Sequence, residues 1–310
     1  MNRIYIKAAT QISMQQPLSE EWMTAPLEPA EPYLRSVDPN FREWLNPLES
    51  RRMGKIMKRA LVTALKVMRD TAITQPDAII TGTGLGCIEN TELFLDQLCR
   101  EGEEMLKPTY FMQSTHNTIS SLIAIQTGCH GYNTTYSHKS VSFDSALFDA
   151  FTQLRLGDIQ TALVTGNDEM TPSYFRILQR TGYIGQPGQV TASEASVAMM
   201  LTTDPTDALC EVEQMSMSFG TPAVPPTDTD LLVVGTNGSE ANDAPYRQVI
   251  SQYPGIQTFD YKQLFGESYT ASGLGIYATA HLLHQGKASR ALFVNHSDGQ
   301  NHSYVVLKKL

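Results

Sequence analysis

Between residues 51 and 70, apolar side chains recur at Met53, Ile56, Met57, Ala60, Leu61, Ala64, Leu65 and Met68. That i, i+3, i+4, i+7 spacing predicts a helix with one buried face. The basic residues of the segment, Arg51, Arg52, Lys55, Lys58 and Arg59, are expected on its solvated side. The next apolar run, within DAIITGTGLG (77–86), is short and breaks off at Gly82, Gly84 and Gly86. It reads as a buried strand entering a tight turn, and a strand, a turn and then a helix in succession indicate an α/β fold.

The pattern then repeats. LFDAFTQLRLGDIQTALVTGN (147–167) and IYATAHLLHQGKASRALFVNH (276–296) both read as a helix, a glycine cap and an apolar strand. Placing Gly157 on Gly286 brings Phe148 onto Tyr277, Leu154 onto Leu283, Leu163 onto Leu292 and Val164 onto Phe293. IITGTG (79–84) resembles VVGTNG (233–238), and the period-two strand RIYIKAATQIS (3–13) resembles CEVEQMSMSFG (210–220). The expected organisation is two related α/β halves, 1–205 and 206–310, joined through TTDPTDAL (202–209) and sharing one body.

Composition narrows the function classes. The 310 residues hold 23 Lys and Arg against 32 Asp and Glu, a net charge of −9, which excludes nucleic-acid binding by bulk electrostatics. With 41% hydrophobic and 18% charged residues, the chain has the makings of a sizeable core rather than of a disordered protein. It contains no run of about 18 apolar residues, and its N-terminus lacks the apolar centre of a signal peptide. A soluble cytoplasmic protein without membrane insertion is the expectation.

The four cysteines, Cys87, Cys99, Cys129 and Cys210, form no CxxC pair, so neither a disulfide framework nor structural zinc is expected. His281 and His284 lie three apart on a predicted helix with no third ligand and are read as a solvated edge. The turn at 82–86 is GxGxG rather than the GxGxxG of a dinucleotide fingerprint, and its glycines are read as structural. No metal and no cofactor is expected.

Several segments together resemble β-ketoacyl synthases of the thiolase superfamily in order and spacing. They are RRMGKIMKRAL (51–61), AIITGTGLGCIENTELFL (78–95), the stretch 111–151, GDIQTALVTGNDEM (157–170), ASEASVAMMLTT (192–203), GTNGSEAND (235–243), FGESYTASGLG (265–275) and NHSDGQNHSYVVL (295–307). Segment 111–150 is most similar to ketosynthase-like proteins of aryl polyene and flexirubin-type pathways. The resemblance implies a thiolase-like fold, with duplicated halves layered α/β/α/β/α. It also implies a dimer, either a homodimer or a heterodimer with an active ketosynthase, paired through TTYSHKS (134–140), and a possible acyl carrier protein partner.

Ketosynthases use a cysteine at a helix N-terminus to carry the acyl chain, and two histidines to stabilise the enolate formed on decarboxylation. The resemblance puts Phe143, in SFDSAL, at the cysteine position, Gly235 at the first histidine and Glu267 at the second. All three replacements lack the required chemistry, so no catalytic residue is expected, and the implied role is that of a chain-length factor in fatty acid or polyketide biosynthesis. Phe143 would then plug the space of an acyl-cysteine. The loop near SDGQN (297–301), where the family has a glycine-rich gate, keeps only Gly299.

Two alternatives stay open. One is a thiolase-fold enzyme of altered chemistry, performing acyl transfer, thioester hydrolysis or decarboxylation. Its candidate residues are Glu267 together with His138, Cys129, Ser145 and His116. Each of the last four also has a structural reading: Ser145 as a helix N-terminal residue, Cys129 as a buried thiol, and the two histidines as caps or partner contacts. The other alternative is an acyl- or carrier-protein-binding module that docks an acidic carrier on the basic cluster at 51–59.

Overall fold

A computed structural model describes residues 1–29, 31, 33–220 and 228–310. Its strands are β1 Ile4–Ile12, β2 Tyr33–Leu34, β3 Ala78–Gly82, β4 Tyr132–Tyr136, β5 Thr161–Asp168, β6 Ala192–Ser193, β7 Ala195–Thr202, β8 Cys210–Phe219, β9 Leu231–Val234, β10 Gln257–Asp260, β11 Arg290–Ser297 and β12 Asn301–Lys308. The helices are α1 Pro47–Ser50, α2 Lys55–Thr71, α3 Ile88–Glu101, α4 Pro108–Ser114, α5 Thr118–Thr127, α6 Ser142–Leu156, α7 Pro172–Arg180, α8 Glu240–Ser251, α9 Tyr261–Phe265 and α10 Ala271–His284.

Ten strands form one sheet in the order β10-β9-β11-β12-β8-β1-β7-β5-β3-β4. From the middle outwards the two leaves match: β1, β7, β5, β3, β4 on one side and β8, β12, β11, β9, β10 on the other. In each leaf the outer three strands pair in parallel, and the antiparallel pairs lie towards the middle. The leaves meet through a short antiparallel junction in which Ile4, Tyr5 and Ile6 face Val212, Glu211 and Cys210.

Helices α6 and α10 pack between the leaves, where Phe143, Leu147, Phe151, Leu274 and Tyr277 share one core cluster with strands of both. Helices α2 and α5 cover the outer face of the first leaf, and α8 covers that of the second. The result is the expected α/β/α/β/α layering. It arises because β5, β7 and β11 are buried over nearly their whole length, and such strands need a helix layer on each face.

Both predicted glycine caps are present. Gly157 (φ 86°) and Gly286 (φ 71°) take the left-handed conformation that ends α6 and follows α10, and each chain then turns directly into the next strand. Two side chains depart from the sequence expectation. Arg59 does not join its basic neighbours in solvent: it is buried, with Nε on Asp38 Oδ1 at 2.5 Å and Nη1 on Glu194 Oε1 at 2.8 Å. His281 is likewise buried, with Nε2 3.2 Å from the Ala9 carbonyl, while His284 is exposed. In both cases a distant segment supplies the partner, which helical periodicity cannot register.

Candidate functional site

The ends of β3 and β5 and the start of α10 converge on the first turn of α6. Gly82 lies so close beneath that turn that a Cβ there would come within 2.6 Å of the Phe143 backbone. The Phe143 ring is fully buried and wedged between two further glycines. A Cβ on Gly166 would meet its Cδ2 at 2.7 Å, and one on Gly273 would meet it at 2.9 Å. The three glycines thus make room for the helix start and for one aromatic ring, and the ring uses that room.

Gly235 follows β9, and a side chain there would collide with Tyr261 and with Lys262 Cε. That lysine turns to the third expected position. Glu267, 3% exposed, accepts on Oε2 from Lys262 Nζ and from Asn237 Nδ2, each at 2.9 Å. The Asn237 and Gly238 amides in turn donate to Asp243, which holds the turn after β9. A buried carboxylate is tolerated where a cation and a further donor meet it. The arrangement is an ion pair, with no imidazole to polarise a thioester.

A second polar network joins the helix start to the other leaf. Asp144, wholly buried, accepts from Asn295 Nδ2 at 2.9 Å and from the Ser303 hydroxyl, while Asn295 also donates to the Ser140 carbonyl at 2.8 Å and accepts from Tyr246 OH at 3.1 Å. Burial pushes the Asp144 carboxyl up despite these bonds.

Two more carboxylates, at the end of β5, belong to the same centre and were not singled out from the sequence. Asp168 accepts from the Gly84 amide at 2.8 Å and is raised by burial to about 6. Glu169 accepts from the Glu89 amide at 2.9 Å and is raised by burial to about 8. The signal was available in GNDEM, where acidic residues end an otherwise apolar strand at the carboxyl edge of the sheet, the usual place for sites in α/β folds.

The structure brings His138 and Ser145 together, with Nδ1 and Oγ 2.9 Å apart in a surface groove of about 570 Å³ beside Tyr136, Phe148 and Phe219. Ser145 Oγ also donates to the Val141 carbonyl at 2.9 Å, and the His138 amide donates to Ser142 Oγ at 2.8 Å. These bonds close the first turn of α6, and among the described residues no carboxylate is hydrogen-bonded to the imidazole. Cys129 lies elsewhere, buried in the cluster under α2 and α5, where its Sγ accepts from Thr127 Oγ1 at 3.1 Å. His116 is exposed next to Gly86. Neither joins Glu267. SDGQN is a tight hairpin turn, with Asp298 and Gly299 at positive φ and Asp298 held by Lys139 at 2.7 Å.

A family model for the N-terminal domain of β-ketoacyl synthases matches residues 20–231. The chain belongs to the β-ketoacyl synthase family. No curated protein matches it in sequence. Among solved structures, the ishigamide ketosynthase/chain length factor superposes with a TM-score of 0.83 at 17% identity, covering 100% of this chain and 99% of that one. A ketosynthase in complex with its chain length factor from Xenorhabdus doucetiae gives 0.82 at 13% identity, covering 100% and 98%. A β-ketoacyl synthase from Burkholderia phymatum STM815 gives 0.79 at 11% identity, covering 100% of both chains. These likenesses establish the thiolase fold of the family member described here. Among the described residues no group of three or more His, Cys, Asp or Glu side chains is arranged to hold a metal ion, and no helix is long and apolar enough to cross a membrane.

Proposed function

We propose that this ketosynthase-family chain is a catalytically degenerate partner of an active ketosynthase, of the chain-length-factor type, acting in cytoplasmic fatty acid or polyketide biosynthesis of the aryl polyene kind. The carrying observation is Phe143. Where a ketosynthase needs a thiolate at the head of this helix, an aromatic ring fills the slot between Gly166 and Gly273. The Lys262–Glu267 ion pair supports the same reading, because a carboxylate at that position repels a developing enolate.

The surface offers a matching interface. Among the described residues β4 ends the sheet with one edge unpaired, and the groove beside it presents Phe148 and Phe219, which are 37% and 75% exposed. An unpaired edge next to exposed aromatics is a docking surface for a second strand. Two of the superposed structures are described as a ketosynthase with its chain length factor, which supports a ketosynthase as partner. A carrier protein would meet the basic residues Arg51, Arg52, Lys55 and Lys58, with Arg59 withdrawn into the interior.

The test is co-expression with a ketosynthase encoded beside this chain, with native mass measured on the purified complex. A one-to-one complex that Tyr132→Asp with Phe148→Asp dissociates, and whose product length changes without this chain, is the expected result. Turnover of malonyl-carrier protein by this chain alone would refute the reading.

A further inference from the structure

Strands β11 and β12 form an antiparallel hairpin in which His296 and His302 stand directly opposite one another, next to the pair Ser297 and Asn301 that borders the turn. Residues opposite each other in such a hairpin project to the same face of the sheet, with Cβ atoms about 4.5–5.5 Å apart. Both imidazoles are buried, at 3% and 5% exposure, and their ring centroids are 6.0 Å apart. Tyr246 of α8 packs against the His296 ring at 4.6 Å and fixes its place.

The two rings are held in the same way. His296 Nε2 donates to the Asn242 carbonyl at 2.7 Å, and His302 Nε2 donates to the Gly220 carbonyl at 2.9 Å. A carbonyl only accepts, so Nε2 carries the proton in both, and the lone pair of each neutral ring is on Nδ1. His296 Nδ1 is buried and has no hydrogen-bond partner among the described residues. A backbone carbonyl on the far nitrogen is the usual outer partner of a metal-bound histidine, because it fixes both the tautomer and the ring orientation.

We propose that His296 and His302 together bind one divalent late first-row transition-metal ion, of the zinc and copper class, through their Nδ1 atoms. An imidazole centroid lies about 3.2 Å from a metal on one of its nitrogens, so two such ligands at a tetrahedral angle hold their centroids about 5.2 Å apart. The 6.0 Å found here is less than 1 Å from that separation and corresponds to a nitrogen–metal–nitrogen angle of about 140°. No third His, Cys, Asp or Glu joins the pair among the described residues, so water fills the remaining positions. Imidazole suits zinc, nickel and copper, whereas calcium and magnesium take oxygen ligands. The ion enters from the groove of about 420 Å³ that His296 lines with Asn242 and Asp298. Once bound, it cross-links β11 to β12 beside the turn whose Asp298 is held by Lys139. Sequence spacing does not reveal the pair, because the two histidines become neighbours only when the hairpin forms.

The tag-free chain, stripped with EDTA and dialysed, is to be titrated with zinc chloride by calorimetry and loaded with one equivalent of copper(II) sulfate for pulsed electron paramagnetic resonance. One zinc ion bound per chain, a melting temperature that rises with zinc concentration, and echo modulation from two imidazoles on copper are expected. His296→Gln and His302→Gln should each weaken zinc binding at least tenfold, while His130→Gln, at an exposed histidine, should leave it unchanged. A chain that binds neither ion, as it would if water alone sat between the rings, would overturn the proposal. So would zinc affinity unchanged in His302→Gln, or a copper signal from a single imidazole. If either variant does not fold, the wild-type titration and copper spectrum still decide. None of these readouts depends on a ketosynthase partner, so the proposal and the functional reading stand or fall separately.

Discussion

Replacing Phe143 by alanine tests the plug directly, and its cost can be worked from the packing. The ring is fully buried, so losing its burial forfeits about 1.5–3 kcal/mol of transfer free energy. The vacated space is roughly 100 Å³, which at ~24 cal/mol per Å³ adds about 2.4 kcal/mol if it stays open. It will stay largely open. The walls nearest the ring are the backbones of Gly166 and Gly273, which have no side chain to swing inward, and Val197 is held within β7. The expected loss is therefore about 4–5 kcal/mol, near the top of the range for such changes. Melting should fall by about 10 °C in a domain of this size. Urea denaturation gives the free energy, and calorimetry with benzene gives a second readout, because an apolar cavity that binds it raises the melting temperature with ligand concentration. A loss below about 1.5 kcal/mol, with no effect of benzene, would show that the ring does not fill a rigid slot.

Phe143→Cys should restore a thiol but no condensation, since neither Gly235 nor Glu267 can stabilise an enolate; product assay with acyl- and malonyl-carrier protein checks this. Lys262→Met leaves Glu267 buried without its cation and should cost about 3–5 kcal/mol, whereas the Lys262→Met/Glu267→Gln double variant should recover more than half of it by urea titration. Glu169→Gln should change the pH profile of stability. The Glu169 carboxyl titrates near 8 when folded against 4.5 ordinarily. The folded chain therefore keeps a proton that the unfolded chain has released. Its contribution is complete below about 4.5 and is lost as pH rises to 8, at up to ~1.4 kcal/mol per pH unit. The difference between variant and wild type should grow in the variant's favour from pH 5 to 8. His296, lowered by burial to about 4, acts oppositely and is common to both proteins.

Much of the fold was legible because it rests on local rules. Glycine at 157 and 286 ends a helix wherever the next residues must turn, and strands such as β5 and β11 announce their burial by unbroken apolar runs. The likeness of 147–167 to 276–296 was visible because both segments meet the same packing demand, a helix between the leaves followed by a central strand. What escaped was partnership. Nothing near Arg59 in the chain says that Asp38 and Glu194 will enclose it, and nothing near His281 says that Ala9 will. The local sequence does not mark Asp168 and Glu169, because their unusual protonation comes from burial by other segments.

By itself the sequence determined the α/β class, the repeated strand and helix pattern, the family, and the residue types offered at the expected catalytic positions. These follow from periodicity, chirality and side-chain chemistry, which act within a few residues of chain. Only the tertiary structure decided that Phe143 is a ring clamped between two glycine backbones, that Lys262 turns inward to neutralise Glu267, and that Ser145 and His138 fasten a helix end. Those outcomes depend on which distant groups share a dry interior, where an unpaired charge or hydroxyl costs several times what it would in water.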